Sequence, residues 1–185
     1  MHTNQHIKAF TLVELITTTL IASLLLFVGM PAFNRFTERL TAGQRISELQ
    51  QAVSYTRASA INNLQRTTMC PLDSSKRCGQ DWNTELSIFL DPNENNQLDS
   101  GEHLLQQLEP TRAGNDFRSY TGSSISFDPR GFSGFHNGSL GYCFPGSKPI
   151  GAAFIISRMG RIRRGLDTDA DGIEETASGQ NVPCR

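Results

Sequence analysis

The chain carries one long apolar run, from Phe10 to Phe33, which is interrupted by a single acid at Glu14. This length is close to the roughly 20 residues with which a helix spans a bilayer. The polar residues Met1 to Ala9 precede the run, whereas the cleavage site of an ordinary secretory signal follows its apolar core. The pattern therefore predicts a transmembrane helix over residues 10–33, behind a leader, residues 1–9, that stays in the cytoplasm.

Helical periodicity continues beyond the apolar run. Apolar residues recur at a spacing near 3.6, and charged and amide side chains occupy the other face. The apolar positions are Phe36, Leu40, Ile46, Leu49, Val53, Ala60 and Leu64. We expect one helix from about Phe10 to about Gln65, amphipathic over residues 34–65 and packed there against the rest of the chain. A bend is expected at Pro31, because proline removes a backbone hydrogen bond.

The pattern changes in residues 66–185, where Gly, Pro, Asn and Ser separate short apolar runs. Such runs, bounded by turn residues, are typical of β-strands. They are Leu86–Leu90, Leu104–Leu108, Ser124–Phe127, Leu140–Phe144 and Ala152–Ser157. The fold class expected is α+β, with the long helix packed against the antiparallel sheets of a single β-rich domain.

Four cysteines follow the predicted membrane segment and would be exported with the domain. An even number in an oxidising compartment favours disulfides, and four cysteines allow three pairings. We prefer Cys70 with Cys78, and Cys143 with Cys184, of which the second closes the longer loop and stabilises more. A zinc site is the alternative, but the spacing contains no Cys-x-x-Cys and no histidine at ligand distance. No cofactor is expected.

The net charge of −1 says little about partners, but its distribution is uneven. Residues 129–166 contain no acid, whereas residues 81–116 and 167–175 are mostly acidic. The basic residues of the middle segment are Arg130, Lys148, Arg158, Arg161, Arg163 and Arg164. A basic segment is thus flanked by acidic ones.

The basic segment contains the run Gly160-Arg161-Ile162-Arg163-Arg164. In a strand, Arg161 and Arg163 would lie on one side, about 6.6 to 6.8 Å apart, with Ile162 toward the core and Arg164 on the other side. Successive guanidinium groups suit a row of phosphates, which they bind without reading base sequence. The alternative is that these arginines form ion pairs with the acids of residues 167–174 and have no other role.

The residues around the start of the apolar run resemble the head of a type IV prepilin. They are Lys8-Ala9-Phe10-Thr11-Leu12-Val13-Glu14. The resemblance implies that a prepilin peptidase cuts between Ala9 and Phe10, that the new amino group of Phe10 is methylated, and that Glu14 docks the subunit beside its neighbour in a filament. The family usually has glycine where this chain has Ala9, so we expect less efficient cleavage.

Most of the remaining chain resembles the GspH/FimT family of minor pilins and pseudopilins. The matching positions are Trp82, residues 88–91, 93–102 and 126–131, Cys143 and Gly160-Arg161. FimT-like members that serve natural transformation contact DNA through a C-terminal Gly-Arg-x-Arg element.

The resemblance therefore implies that Gly160, Arg161 and Arg163 bind DNA, with Arg164 extending the element and Arg158 and Lys148 adding positive charge. It also implies other pilin subunits as partners, and an inner-membrane protein with a periplasmic domain that moves to a pilus on the cell surface. The alternative is a structural minor pilin, or a pseudopilin of type II secretion, that initiates filament assembly without binding DNA.

The sequence gives little indication of an enzyme, because it contains no nucleophile-elbow, phosphate-loop or metal-ligating helix motif. We expect no enzyme. Two oxygen-rich loops, residues 91–102 and 167–172, resemble parts of a calcium-binding loop without completing it. We expect no metal, and calcium at the later loop stays open as an alternative.

Overall fold

The computed structural model describes residues 10–112, 116–146 and 148–184. The predicted leader, including Ala9, lies outside the described residues. By its internal contacts the chain divides into two compact units, Met1–Leu40 and Thr41–Arg185. The division falls within the long helix, so the two parts of that helix are considered separately.

Helix α1 spans Leu12–Asn63 and begins and ends with recognisable caps. At its start, Thr11 Oγ1 accepts the Glu14 N–H at 3.3 Å, which satisfies one free donor of the first turn. At its end, Leu64 adopts φ +53° and Gln65 N–H donates to the Ala60 carbonyl at 3.3 Å. This is a Schellman motif with leucine in the position that glycine usually takes. The helix therefore stops two residues before the predicted Gln65, and it continues through Pro31.

In the first unit, the large hydrophobic side chains described are exposed. Hydroxyls of Thr17, Thr18, Thr19 and Ser23 donate to carbonyls of the preceding turn, so these polar groups are satisfied within the helix. The segment is long and apolar enough to cross a membrane. An exposed apolar helix of this length fits a transmembrane anchor.

The packed face of α1 differs from the prediction at both ends. Phe36 and Leu40 are 58% and 52% exposed, and burial begins at Ala42 in the second unit. Leu64 is 75% exposed, because its left-handed backbone takes it out of the helical register. The amphipathic face that packs within the domain is therefore shorter than residues 34–65.

The second unit contains eight strands among the described residues. They are β1 Thr67–Pro71, β2 Leu86–Leu90, β3 Leu104–Leu108, β4 Phe117–Tyr120, β5 Ile125–Phe127, β6 Gly138–Phe144, β7 Ile150–Ile156 and β8 Ile162–Arg164. They form two four-stranded sheets, in the orders β3-β2-β1-β5 and β4-β6-β7-β8. The strand pairs within both sheets are antiparallel.

The predicted strands correspond to β2, β3, β5, β6 and β7, with ends displaced by up to two residues in the last three. The prediction omitted β1 and β4, and it considered β8 only as a possible strand. All five residues of β1 are buried, including Thr67 and Thr68, so its sequence shows no alternation of apolar and polar positions. Its Pro71 is tolerated because it is the terminal residue of the strand.

The core of the second unit lies among α1 and both sheets. Ile46, Leu49 and Val53 of α1 pack in one buried cluster with side chains from β1, β2, β3, β5, β6 and β7. A smaller cluster on the second sheet joins Cys143 and Ala153 to Ile173 and Val182. The C-terminal segment thus covers the face of this sheet opposite to α1.

Two disulfides connect the described cysteines in the pairing that the sequence analysis preferred. Cys70 of β1 is joined to Cys78, with 5.4 Å between the Cα atoms. Cys143 of β6 is joined to Cys184, with 5.2 Å between the Cα atoms. The second bond ties the C-terminal segment to the sheet that carries the arginine-rich strand β8.

Candidate functional site

The predicted Gly160–Arg164 element forms the end of a hairpin between β7 and β8. Ile156 pairs with Ile162, and beyond this pair Ser157 N–H donates to the Arg161 carbonyl at 3.0 Å. Gly160 N–H returns to the Ser157 carbonyl at 2.8 Å, and Gly160 has φ +74°. A turn followed by a left-handed glycine is a standard three-residue hairpin loop. It places Arg158 and Met159 at the tip, both exposed.

A glycine is required at position 160 because the hairpin packs closely there against the backbone of Gly131. A Cβ at this position would collide with the Gly131 carbonyl oxygen. The same oxygen accepts a hydrogen bond from Arg57 Nε of α1 at 3.0 Å. The resemblance assigned Gly160 to the DNA-binding element, and in the structure its close neighbour is the Gly131 backbone.

Four arginines of the hairpin are exposed, and three of them share a further property: Arg158, Arg161 and Arg163. Among the residues that the structure describes, none of the three forms an ion pair with an acid. Arg163 lies opposite Ile155, on the face of the sheet away from α1, and its Nη1 donates to the Arg164 carbonyl at 3.3 Å. These guanidinium groups therefore keep charge that is available to an anion in solution.

Arg164 differs from its neighbours. Its Nε donates to Glu174 Oε2 at 3.0 Å, and the two side chains form an ion pair. Its guanidinium carbon also lies 5.3 Å from the centroid of the Phe154 ring, on the core side of the strand. Glu174 is held in place because Oε2 also accepts the Ala153 N–H at 3.0 Å. The internal pairing considered in the sequence analysis is thus found for Arg164.

Lys148 lies apart from the arginines. It is exposed in the turn between β6 and β7, whereas Arg158 follows the other end of β7. A seven-residue strand is about 20 Å long. The predicted grouping of Lys148 with Arg158 and Arg161 is therefore not found, although all three belong to one basic stretch of sequence.

A cleft of about 350 Å³ lies beside the hairpin tip and contains basic and aromatic side chains that are distant in sequence. Its lining includes Arg66, Arg130, Arg158, Phe132, Ser133 and Phe135, together with two acids, Glu94 and Asp128, which form ion pairs with Arg66 and Arg130. We call this the basic cleft. The sequence analysis missed Arg66 and Phe135 as site residues. The signal for Phe135 was a single aromatic residue flanked by polar and turn-forming residues, which suggests an exposed ring in a loop. No feature of the sequence around Arg66 indicates that Arg66 lies in this cleft.

One wall of the basic cleft is fixed by a polar network around His136. Arg66 Nη2 lies 2.7 Å from His136 Nε2, and Ser124 Oγ lies 2.9 Å from Nδ1. Burial and the charge of Arg66 lower the pKa of His136, so the imidazole is neutral at neutral pH. Arg66 also donates to Glu94 Oε2 at 3.0 Å. Because Arg66 can only donate, Nε2 accepts and Nδ1 carries the proton.

The other wall comes from the loop between β5 and β6. Arg130 donates to Asp128 Oδ2 from Nε at 3.1 Å and from Nη2 at 2.8 Å. Its guanidinium carbon lies 5.1 Å from the centroid of Phe132. Asp128 also caps this loop by accepting the Phe132 N–H at 2.9 Å. Both walls are therefore held by hydrogen bonds within the second unit.

The two predicted filament residues described lie at the start of the chain. Phe10 is 79% exposed and precedes α1, and Glu14 is exposed in the first turn of that helix.

Acidic side chains in the two oxygen-rich loops accept hydrogen bonds from backbone N–H groups of the same loops. Asp91 is buried and accepts hydrogen bonds from the Asn95 and Asn96 N–H groups. Carboxylate oxygens of Asp167, Asp169 and Asp171 lie within 4.8 Å of one another. Asp167 accepts hydrogen bonds from the Asp171 and Gly172 N–H groups, and a carboxylate-capped turn of this kind forms with or without a bound cation.

A comparison with protein families matches residues 45–160 to the model described as type II transport protein GspH. The chain belongs to the GspH family. The match includes α1 from Arg45 onward and the strands β1 to β7, and it ends at Gly160, so the arginines of β8 lie beyond it. Pilin-like families and folds are in general not enzymatic, in agreement with the interpretation from sequence.

A solved structure of a minor pilin shares the fold of this GspH-family chain. The type IV minor pilin FimU of Pseudomonas aeruginosa matches with a TM-score of 0.52 and 23% identity, over 71% of this chain and 92% of FimU. A second crystal form matches with a TM-score of 0.49 and 19% identity, over 67% and 92%. No curated protein sequence gives a significant match. The chain thus has the pilin fold that the sequence predicted.

Proposed function

We propose that this chain is a minor type IV pilin that binds extracellular DNA without sequence specificity and contributes to DNA uptake in natural transformation. The observation that carries the proposal is that Arg158, Arg161 and Arg163 are exposed on one hairpin and form no ion pair with any acid in the described ranges. Guanidinium groups in this state can bind phosphates, which contributes affinity but does not discriminate bases. Arg164 contributes less, because Glu174 already neutralises it.

The hairpin is suited to this role because its backbone is fixed. Gly160 packs against Gly131, and Ser133 and Gly134 N–H groups both donate to the Arg158 carbonyl, at 3.1 and 3.0 Å. A fixed loop loses little conformational entropy when it binds a ligand. Lys148 is omitted from the proposed DNA contact because it lies at the other end of β7.

The proposal includes processing and location. A prepilin peptidase cuts between Ala9 and Phe10, and the amino group of Phe10 is methylated. Glu14 then docks against a neighbouring pilin when the subunit moves from the inner membrane into the pilus. The exposed apolar helix of the first unit supports this part, since it needs either lipid or other subunits around it.

A structural role is the second candidate, and two observations favour it. The matching family model is described as a type II transport protein, and Arg164 serves the fold rather than the surface. In this role the chain initiates a pilus or a secretion pseudopilus, and its free arginines contact other subunits.

DNA binding by the full chain in non-ionic detergent separates the two candidates. The test variant is Arg161→Ala with Arg163→Ala, and the matched control is Lys148→Ala, which removes an exposed cation from the opposite end of β7. We expect the double variant to bind a labelled duplex at least about tenfold more weakly, and the control to change affinity by less than about threefold. Equal binding by the double variant and the unmodified chain would favour the structural role.

A further inference from the structure

Phe135 is presented to solvent in an unusual way. No large hydrophobic residue in the described part of the chain is more exposed, and Phe135 is 92% exposed. It lies in the second unit, outside the apolar helix that would contact lipid. A ring in this position contributes almost nothing to the hydrophobic core. Its presence therefore calls for an explanation other than folding.

The backbone that carries Phe135 is firmly held. Residues Gly134–His136 form a single 3-10 turn, in which His136 N–H donates to the Ser133 carbonyl at 2.9 Å. Tyr120 Oη donates to the His136 carbonyl at 2.6 Å, and the imidazole of His136 is fixed by Arg66. The backbone beneath the exposed ring is thus fixed by hydrogen bonds, so a ligand that stacks on the ring would order little of the chain.

Positive charge lies beside the ring. The guanidinium carbon of Arg158 is 5.6 Å from the centroid of Phe135, and Arg158 forms no ion pair with any described acid. Arg130 lies in the same cleft, 5.1 Å from the centroid of Phe132, but its charge is compensated by Asp128. Aromatic faces next to cations are the common feature of sites that hold single-stranded nucleic acid.

One buried polar atom of the basic cleft, Ser133 Oγ in a residue only 3% exposed, has no hydrogen-bond partner within the described chain. Buried polar groups are nearly always hydrogen-bonded in folded proteins. A ligand with acceptor atoms in the cleft would satisfy this hydroxyl, and nucleobases carry such atoms on their edges. Arg66 Nε is not available to a ligand, because it lies 3.8 Å from the buried carboxylate of Asp91.

We propose that the basic cleft receives one unpaired base of single-stranded DNA, which stacks on Phe135 while Arg158 and Arg161 hold the adjacent phosphates. This inference rests on the DNA binding proposed above and adds a preference for single strands. Bases within a duplex are already stacked on both faces, so they cannot use the ring. A volume of about 350 Å³ is within the range of small-molecule sites.

The test compares three polyanions on the full chain in non-ionic detergent: a labelled thymidine oligonucleotide, a duplex of equal length, and polyphosphate, which has no bases. The test variant is Phe135→Leu, and Phe135→Tyr restores an aromatic face. Leu166→Ala is the matched control, since Leu166 is another hydrophobic residue that is 70% exposed in the second unit. Circular dichroism confirms that each variant is folded.

We expect Phe135→Leu to weaken binding of the thymidine oligonucleotide by about 5- to 100-fold, the range found for loss of one stacked base. Binding of duplex and polyphosphate should change by less than about twofold, as should all binding by Phe135→Tyr and Leu166→Ala. Unchanged oligonucleotide binding by Phe135→Leu would overturn the inference while leaving duplex binding, and thus the proposed function, intact.

Two further outcomes would also overturn the inference. If Phe135→Leu weakens polyphosphate binding as much as oligonucleotide binding, the ring only positions Arg158. If the variant binds all three polyanions normally but is not incorporated into filaments, Phe135 contacts a neighbouring subunit. Failure of the unmodified chain to bind either form of DNA would instead remove the proposed function, and the inference with it.

Discussion

At the scale of single residues, Gly160 shows how one position can support both folding and function. Its left-handed backbone ends the hairpin loop, and its missing side chain leaves room for the Gly131 carbonyl oxygen. The hydrogen bond from Arg57 Nε to that oxygen connects α1 to the loop between β5 and β6, against which Gly160 packs. The contact between Gly160 and Gly131 therefore helps to position Arg158 and Arg161, although neither arginine side chain takes part in it.

Gly160→Ala should destabilise the chain by more than about 2 kcal/mol. About 1 kcal/mol comes from the left-handed backbone, and the rest from displacing the Gly131 peptide. Gly179→Ala is the matched control, because Gly179 has φ +75° but no atom within 4 Å of an added Cβ, so it should lose about 1 kcal/mol only. Urea unfolding followed by the fluorescence of the buried Trp82 measures both. Equal losses would show that the contact with Gly131 costs nothing to break.

Arg164→Ala should affect stability more than DNA binding. The side chains of Arg164 and Glu174 are 41% and 18% exposed, so solvent screens the ion pair. Together with the contact to Phe154, its loss should cost about 1 kcal/mol. Duplex affinity should fall less than in Arg161→Ala, since the charge of Arg164 is already compensated. A large loss of DNA affinity with unchanged stability would contradict this assignment.

At the scale of elements, the second sheet depends on the C-terminal segment that covers it. Ile173 and Val182 pack on Cys143 and Ala153, and the same segment provides Glu174 to Arg164. The disulfide between Cys143 and Cys184 closes this segment against β6. Positioning of the arginine hairpin therefore depends on residues that follow it in the sequence.

Removing Cys143 and Cys184 together should destabilise the chain more than removing Cys70 and Cys78. The sequence separations are 41 and 8 residues, and chain entropy gives about 4 and about 2.5 kcal/mol. Cys143 and Cys70 are both fully buried, so the cavities left by alanine are similar. Urea midpoints of the two double alanine variants test the order. The reverse order would mean that the C-terminal segment stays in place without its bond.

The strands that sequence could predict are those with apolar runs between turn residues, such as Leu86–Leu90 and Leu104–Leu108. It could not predict β1, because Thr67 and Thr68 are polar and their sequence does not show that they are buried. Their burial depends on β2 and β5, which lie on either side of β1 in the sheet. It also placed Phe36 and Leu40 on a packed face, because helical periodicity does not distinguish a contact within the domain from a contact with lipid or another subunit.

At the scale of the whole molecule, a net charge of −1 conceals a separation of charge. The arginines without an ion pair to any described acid, Arg158, Arg161 and Arg163, lie on one hairpin of the second unit, and Arg158 also lines the basic cleft. The charge distribution along the sequence predicted the basic segment, but it did not predict which of its arginines form ion pairs. That distinction depends on Glu174, which approaches Arg164 only after the C-terminal segment folds back.

The salt dependence of duplex binding by the full chain tests the central claim most directly. Each phosphate contact should contribute about −0.9 to the slope of log affinity against log salt concentration. Arg158, Arg161 and Arg163 together predict a slope of about −3, and removing the last two should bring it to about −1. Lys148→Ala should leave the slope unchanged. Identical slopes for the unmodified chain and the double alanine variant would contradict the claim that this hairpin binds DNA.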